Sequence, residues 1–218
     1  MDGYNLPTIR RPKVALDVDG TIANPHAVIV EEWNRITGKD FRVSDIDNYD
    51  WSISKLQMPM EEFFRIYENS WNERTAEIRA AVTEQELVCF AKYFDVDIVT
   101  QRSSNTKTAL QKWLKHNFPS LDLKTILVEQ TSDKLKADYD IIIDDAPKIW
   151  RAFHQNDPLT YGKWLYAPKQ PWNSKVISSM FPSPKMASVN AVSNAFEMAL
   201  SEHTYSAKTG RKKECSIR

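Results

Sequence analysis

The chain carries no net charge. Its 29 lysines and arginines balance 29 aspartates and glutamates, so no overall field draws it toward nucleic acid or a membrane surface, and any electrostatic work must be local. Cysteine is nearly absent. The two present, Cys89 in a predicted helix and Cys215 near the end, are too few and too unlike in setting to suggest a disulfide framework, which points to a reducing compartment. No run approaches the roughly 18 apolar residues of a membrane span, and no signal-peptide core stands near the start. A cytoplasmic location with no membrane partner is the resulting expectation. Internal repeats and low-complexity tracts are missing too. What remains is a chain of 218 residues, 42% hydrophobic and 27% charged, able to bury a full core as one domain with an insertion or as two small ones.

The densest chemistry lies in Lys13 to Ala23, where a short apolar run ends in two carboxylates, Asp17 and Asp19, followed by Gly20-Thr21. Val14 to Val18 has the composition of a central strand of a parallel sheet, and Gly20 allows a sharp turn after it. In open α/β sheets ligands bind at the carboxyl ends of strands, which is where both aspartates fall. Two like charges repel by about 1 kcal/mol at 4 Å in water and by roughly four times that near a protein surface. A divalent cation relieves this, and oxygen-only ligands suit Mg²⁺.

After Ile22 the spacing predicts a helix with Val28, Ile29, Trp33 and Ile36 on one face and Gly38 as its stop. An irregular stretch follows to Met58. Pro59 opens a second helix, and Thr83 with Glu86 forms the capping box of a third, from Glu84 to Phe94. The next strand, Asp97 to Thr100, comes long after the first. A crossover needs only about a dozen residues, so Asn24 to Ala81 is read as an inserted helical subdomain. Beyond it the rhythm is regular: helix Thr106 to Asn117, strands Thr125 to Val128 and Asp140 to Asp144, helix Pro147 to Gln155, strand Lys163 to Tyr166, and a closing helix Ala187 to Glu202. Such alternation predicts a doubly wound parallel α/β sheet with right-handed crossovers.

Four strand ends then bring chemistry to one edge: Asp17 with Asp19, Thr100-Gln101-Arg102, Lys134, and Asp144-Asp145. Adjacent strand residues point to opposite faces, so one of Asp144 and Asp145 meets the metal directly and the other bears on its water or on Lys134. Arg102 could clamp a phosphate bidentately or cap the following helix. The insertion's aromatics Trp33, Trp51, Phe63, Phe64 and Trp71 could stack on a base, but a small helical unit also needs a core of its own. His26 and His116 show no metal spacing and read as surface residues. Arg211-Lys212-Lys213 reads as part of a solvated basic tail, 204–218.

In that order, Asp17-Val18-Asp19-Gly20-Thr21, Ile98-Val99-Thr100, Lys134 and Ile141-Ile142-Ile143-Asp144-Asp145 resemble the haloacid dehalogenase superfamily of phosphotransferases. The likeness spans a core of 1–23 and 82–203, and the insertion 24–81 is similar to that superfamily's first type of cap. Within it the chain resembles the 5'(3')-deoxyribonucleotidases, on the ten-residue step from Lys134 to Asp144, the small aromatic-rich insertion, and Pro171-Trp172-Asn173 after the last predicted strand. It departs from them at Asn24-Pro25-His26, where an aromatic is usual, and at Gln101, where a serine is. The resemblance implies a Rossmann-like core, Asp17 as nucleophile and Asp19 as general acid and base. It also implies Mg²⁺ held by Asp17, Asp19 and Asp145 with Asp144 beside them, Thr100, Gln101, Arg102 and Lys134 on the phosphoryl group, and a nucleoside 5'-monophosphate as substrate. A polynucleotide 3'-phosphatase shares these motifs but calls for a basic groove, against which the neutral balance argues. A small-metabolite phosphatase, a non-catalytic nucleotide-binding protein and a homodimer stay open.

Overall fold

The computed structural model describes residues 10–155, 157–178 and 185–204. Six strands form one sheet: β1 (Lys13–Leu16), β4 (Asp95–Gln101), β5 (Lys124–Val128), β6 (Ile141–Ile143), β7 (Trp164–Pro168) and β8 (Met186–Val189). Their order is β5-β4-β1-β6-β7-β8 and every neighbouring pair is parallel. β1 is therefore central and buried on both faces. Val14 and Leu16 join one core with α3 (Glu84–Ala91), α4 (Lys107–Asn117) and α8 (Val192–Thr204), while Ala15 joins the opposite core with α5 (Asp133–Lys136) and α6 (Pro147–His154). This two-faced burial is why the strand reads as a continuous apolar run. The order reverses at β1, because the chain moves to β4 and β5 on one side before crossing to β6 on the other, and the crevice at such a switch point is where doubly wound folds bind ligands.

Between β1 and α3 the chain leaves and re-enters the core through a two-stranded antiparallel ribbon of β2 (Ala23–Asn24) and β3 (Arg79–Ala80). The excursion carries α1 (His26–Thr37), stopped by Gly38 in the left-handed conformation, and α2 (Met60–Glu73). These helices and the loop between them bury a cluster of their own, Ile29, Val30, Trp33, Ile46, Trp51, Leu56, Met58 and Ile66, which Trp172 joins from the core domain.

Two expectations fail. The closing segment is not one helix from Ala187 to Glu202. Met186–Val189 is the sixth strand, paired parallel to β7, and only Val192–Thr204 is helical, because an unpaired edge of β7 prevailed over a helical spacing of apolar residues. Cys89 is not a free thiol, against the expectation of no disulfide, and Cys215 lies outside the described residues. The basic tail lies outside them as well, from residue 205 on.

Candidate active site

The site is built on three strand ends. Asp17 follows β1 directly, its N–H donating to the Ile143 carbonyl at 3.0 Å, so the first motif is laced to β6. Asp144 and Asp145 follow β6, and Thr100 closes the buried part of β4. Lys134, expected in a plain link, sits on the short helix α5 and is 1% exposed. Its ammonium donates to Asp17 Oδ1 at 2.6 Å and to Asp144 Oδ2 at 2.5 Å. Carboxylate oxygens of Asp17, Asp144 and Asp145 all lie within 4.8 Å of one another.

Electrostatically the cluster is unbalanced, with three carboxylates facing one ammonium. Burial, and then the charges of Asp144 and Asp19, raise the Asp17 carboxyl to about 7 against the opposing pull of Lys134. Asp145 rises too, through burial and then Asp17 and Asp144. Burial alone would lower Lys134, but Asp144 and Asp17 outweigh it and hold the ammonium charged. Both Asp144 oxygens are engaged, Oδ2 by Lys134 and Oδ1 by the Ala146 N–H at 2.7 Å. Asp17 Oδ2 and Asp145 Oδ1 accept no hydrogen bond among the described residues. Hard oxygen donors, surplus negative charge and two open carboxylate oxygens fit a small divalent cation.

Asp19 is set apart. Its carboxylate is not among the clustered three but turns toward the insertion, where Oδ2 accepts from Tyr67 Oη at 2.8 Å and Oδ1 from Trp71 Nε1 at 3.2 Å, both on α2. Arg102 Nη2 donates to the same Oδ2 at 2.7 Å. The Arg102 side chain is fully buried, its guanidinium 4.3 Å from the Trp71 ring centroid, and its Nε and Nη1 have no hydrogen-bond partner among the described residues. Arg102 is ion-paired to Asp19.

A cavity of about 60 Å³ lies over the cluster, lined by Asp17, Asp19, Thr100, Gln101, Lys134, Asp144 and Asp145 together with Tyr49, Thr131 and Ala146. Gln101 is held at its rim, accepting from Thr131 Oγ1 at 2.6 Å and donating to the Glu129 carbonyl at 3.0 Å. The insertion aromatics separate by role. Trp33, which donates to the Leu56 carbonyl, and Trp51 are buried in the insertion's core; Trp71 serves Asp19; Phe63 is half-buried and Phe64 exposed.

Sequence reasoning missed Tyr49, Tyr67, Thr131, His26 and Trp172. His26 is half-buried, not a plain surface residue. Its ring stacks on Trp51 and lies tilted against Trp172, with centroids 5.9 and 4.2 Å away, and burial pushes its pKa down to about 4 against the pull of Asp19. Trp172 donates its indole N–H to Asp145 Oδ2 at 2.6 Å. The one available signal was Pro171-Trp172-Asn173 itself, which spacing alone could not connect to Asp145.

No family model matches the chain, and no curated protein matches its sequence. Solved structures do. It is similar to a hydrolase from Pseudomonas syringae (12% identity, TM-score 0.54, covering 87% of this chain and 98% of that one). A haloacid dehalogenase-like hydrolase from Burkholderia xenovorans is comparably similar (15%, TM-score 0.56, 88% and 98%). So is a HAD family hydrolase from Deinococcus radiodurans, solved with bound phosphate and sodium (15%, TM-score 0.55, 88% and 97%). At these identities the likeness establishes the fold, that of the haloacid dehalogenase-like hydrolases, with a buried aspartate cluster at its switch point.

Proposed function

We propose that the protein hydrolyses phosphate monoesters through an aspartyl-phosphate on Asp17, with Mg²⁺ held by Asp17 and Asp145, and that its substrates are nucleoside 5'-monophosphates. The observation that carries the reading is the buried Asp17 carboxylate, one oxygen on Lys134 and the other open, facing a cavity suited to a phosphoryl group. Bound phosphate in the Deinococcus radiodurans relative supports it by analogy.

Each residue has a defined task. Asp17 Oδ2 attacks phosphorus, the ester oxygen departs with a proton, and water then cleaves the acyl phosphate to release inorganic phosphate and restore the carboxylate. Lys134 is placed to share its positive charge with the phosphoryl oxygens, and Thr100 offers a hydroxyl donor at the cavity wall, while the Thr131 hydroxyl is committed to Gln101. Asp19 is assigned the proton. Three donors converge on its two oxygens, so taking a proton from the attacking water, or giving one to the leaving oxygen, requires it to turn from Arg102. When bound, Mg²⁺ neutralises charge on the transferring group. The insertion 24–81 acts as a cap, and the rest of the substrate lies toward Tyr49 and the Phe63-Phe64 edge, because the cavity itself has no space for a nucleoside.

The test is inorganic phosphate release from 5'- and 3'-ribo- and deoxyribonucleotides, sugar phosphates and a 3'-phosphorylated oligonucleotide, with Mg²⁺ or EDTA, using Asp17→Asn as blank. Mg²⁺-dependent release concentrated on nucleoside 5'-monophosphates is the expected result. Release from the sugar phosphates alone keeps the reaction and replaces the substrate, and no release above the blank withdraws the reading.

A further inference from the structure

Asp144 and Asp145 are neighbours in sequence, yet their oxygens are engaged differently. Both Asp144 oxygens accept a hydrogen bond, Oδ2 from Lys134 and Oδ1 from the Ala146 N–H. Asp145 Oδ2 accepts from the Trp172 indole at 2.6 Å, and its Oδ1 accepts no hydrogen bond among the described residues. An indole offers one N–H and no acceptor, so it can fix one carboxylate oxygen without adding charge and without competing as a cation would. A lysine in that place would cancel the charge that the cation needs.

The turn bearing Trp172 is itself fastened at several points. Asn173 Nδ2 donates to the Asp145 backbone carbonyl and to the Pro168 carbonyl, both at 2.9 Å. Gln170 Nε2 donates to the Gly20 carbonyl at 2.6 Å. One turn after β7 thus holds the backbones of both aspartate motifs. Gly20, at φ +79°, lies so close that a Cβ there would stand 2.6 Å from Asp145 Oδ2 and 2.9 Å from the Trp172 ring, so the indole and carboxylate are packed against the first motif with no slack. On its other side the indole meets the His26 ring of α1.

We propose that Trp172 is a positioning residue for the metal site: its N–H pins Asp145 Oδ2 so that Oδ1 alone is presented to the cation. The proposal rests on the metal-dependent reading above and assigns the order within the acidic pair, with Asp145 as ligand and Asp144 as partner of Lys134. Groups that orient metal ligands typically change metal affinity by about 10- to 100-fold when removed.

The experiment is Mn²⁺ binding to the full chain, read by electron paramagnetic resonance, for wild type, Trp172→Phe, and a chain carrying the sulfur isostere benzothienylalanine at position 172. The isostere keeps the bicyclic aromatic ring and its face toward His26 and removes the donor. It answers the question even where Trp172→Phe fails to fold. The expected result is a Kd raised about 10- to 100-fold in the isostere chain, with near-ultraviolet circular dichroism and urea midpoint close to wild type. Mn²⁺ binding within about twofold of wild type overturns the positioning role while leaving the hydrolase reading standing. A wild-type chain that binds neither Mn²⁺ nor Mg²⁺ overturns both.

Discussion

Asp17 and Asp19 are two residues apart, and their surroundings could hardly differ more. Everything that touches Asp17 comes from the sheet and its flanking turns: Lys134 from the helix before β6, and Asp144 and Asp145 from its end. The Asp19 carboxylate is instead held from two sides, by Tyr67 and Trp71 of the insertion and by Arg102 from the loop after β4. The first environment is fixed by the fold. Two of the three contacts in the second come from α2, so the residue assigned the proton depends in part on how the insertion packs. The proposed nucleophile and the proposed proton-handling group thereby have largely separate supports, and the two can be broken separately.

The largest separation is expected at the aspartates themselves. Asp17→Asn should abolish phosphate release, whereas Asp19→Asn should retain a residue of it, down by about 10²–10⁴, which is what acid-base help is ordinarily worth. Equal losses in a steady-state assay would mean that Asp19 has no role separable from Asp17. Next in size is Lys134→Met. Removing one member of a buried ion network strands the others, at a cost of about 3–5 kcal/mol, so the metal-free variant should show a correspondingly lower urea midpoint. Added Mg²⁺ should recover part of that loss, because it supplies the positive charge that the lysine gave. No comparable recovery is expected for variants around Asp19.

The same division explains what could be read from the sequence. The Asp17 side was legible because strand ends and motif order are local patterns: an apolar run stopping at Asp17, a triple isoleucine stopping at Asp144, a capping box at Thr83. Even Lys134 could be named, although its placement on a short helix could not. The Asp19 side was illegible because nothing in the spacing of Tyr67 and Trp71 on α2 says which of their neighbours is a carboxylate 48 or 52 residues earlier. Trp71 and Arg102 were noticed for stacking and for phosphate binding, chemistry that those residue types can equally perform elsewhere. His26 was misjudged for a related reason. A lone histidine at a helix start has no periodic signature, and its burial depends on Trp51 and Trp172, which meet only when the insertion folds back on the core. Met186–Val189 failed differently, since four residues of mixed burial carry too weak an alternation to outvote a helix next door.

His26 gives a pH test of that docking. Its pKa falls from an ordinary 6.5 to about 4 in the folded chain. Above pH 6.5 the ring is neutral in both states. As pH falls toward 4 the unfolded chain takes up a proton that the fold refuses, so stability declines by about 2–3 kcal/mol from this group. Asp17 works in the opposite sense over the same range: with its pKa raised to about 7, its contribution is present at low pH and lost as pH rises through 7. The wild-type curve therefore mixes the two, and the difference between wild type and His26→Phe isolates the ring. That difference should shift in favour of the variant between pH 6.5 and 4, measured by urea denaturation in EDTA, and a flat difference would mean the ring is solvated.

The smallest and most discriminating change is Tyr67→Phe. It deletes a single hydroxyl, leaves the ring on α2, and removes one of three donors to Asp19 while Arg102 and Trp71 stay in place. A hydrogen bond to a charged group contributes about 1.5–3 kcal/mol, and with two donors remaining the lower figure applies, which corresponds to roughly a tenfold fall in kcat. KM for a small aryl phosphate should stay within about twofold, because the proposed phosphoryl contacts, Lys134 and Thr100, lie on the sheet side. Trp33→Phe is the matched control. It also lies in the insertion and also loses a donor, but its indole serves the Leu56 carbonyl inside the insertion's own core, so it should lower stability and leave kcat unchanged. If both variants lose rate alike, insertion stability alone governs turnover. If only Tyr67→Phe does, α2 acts on the reaction through the one carboxylate that it touches.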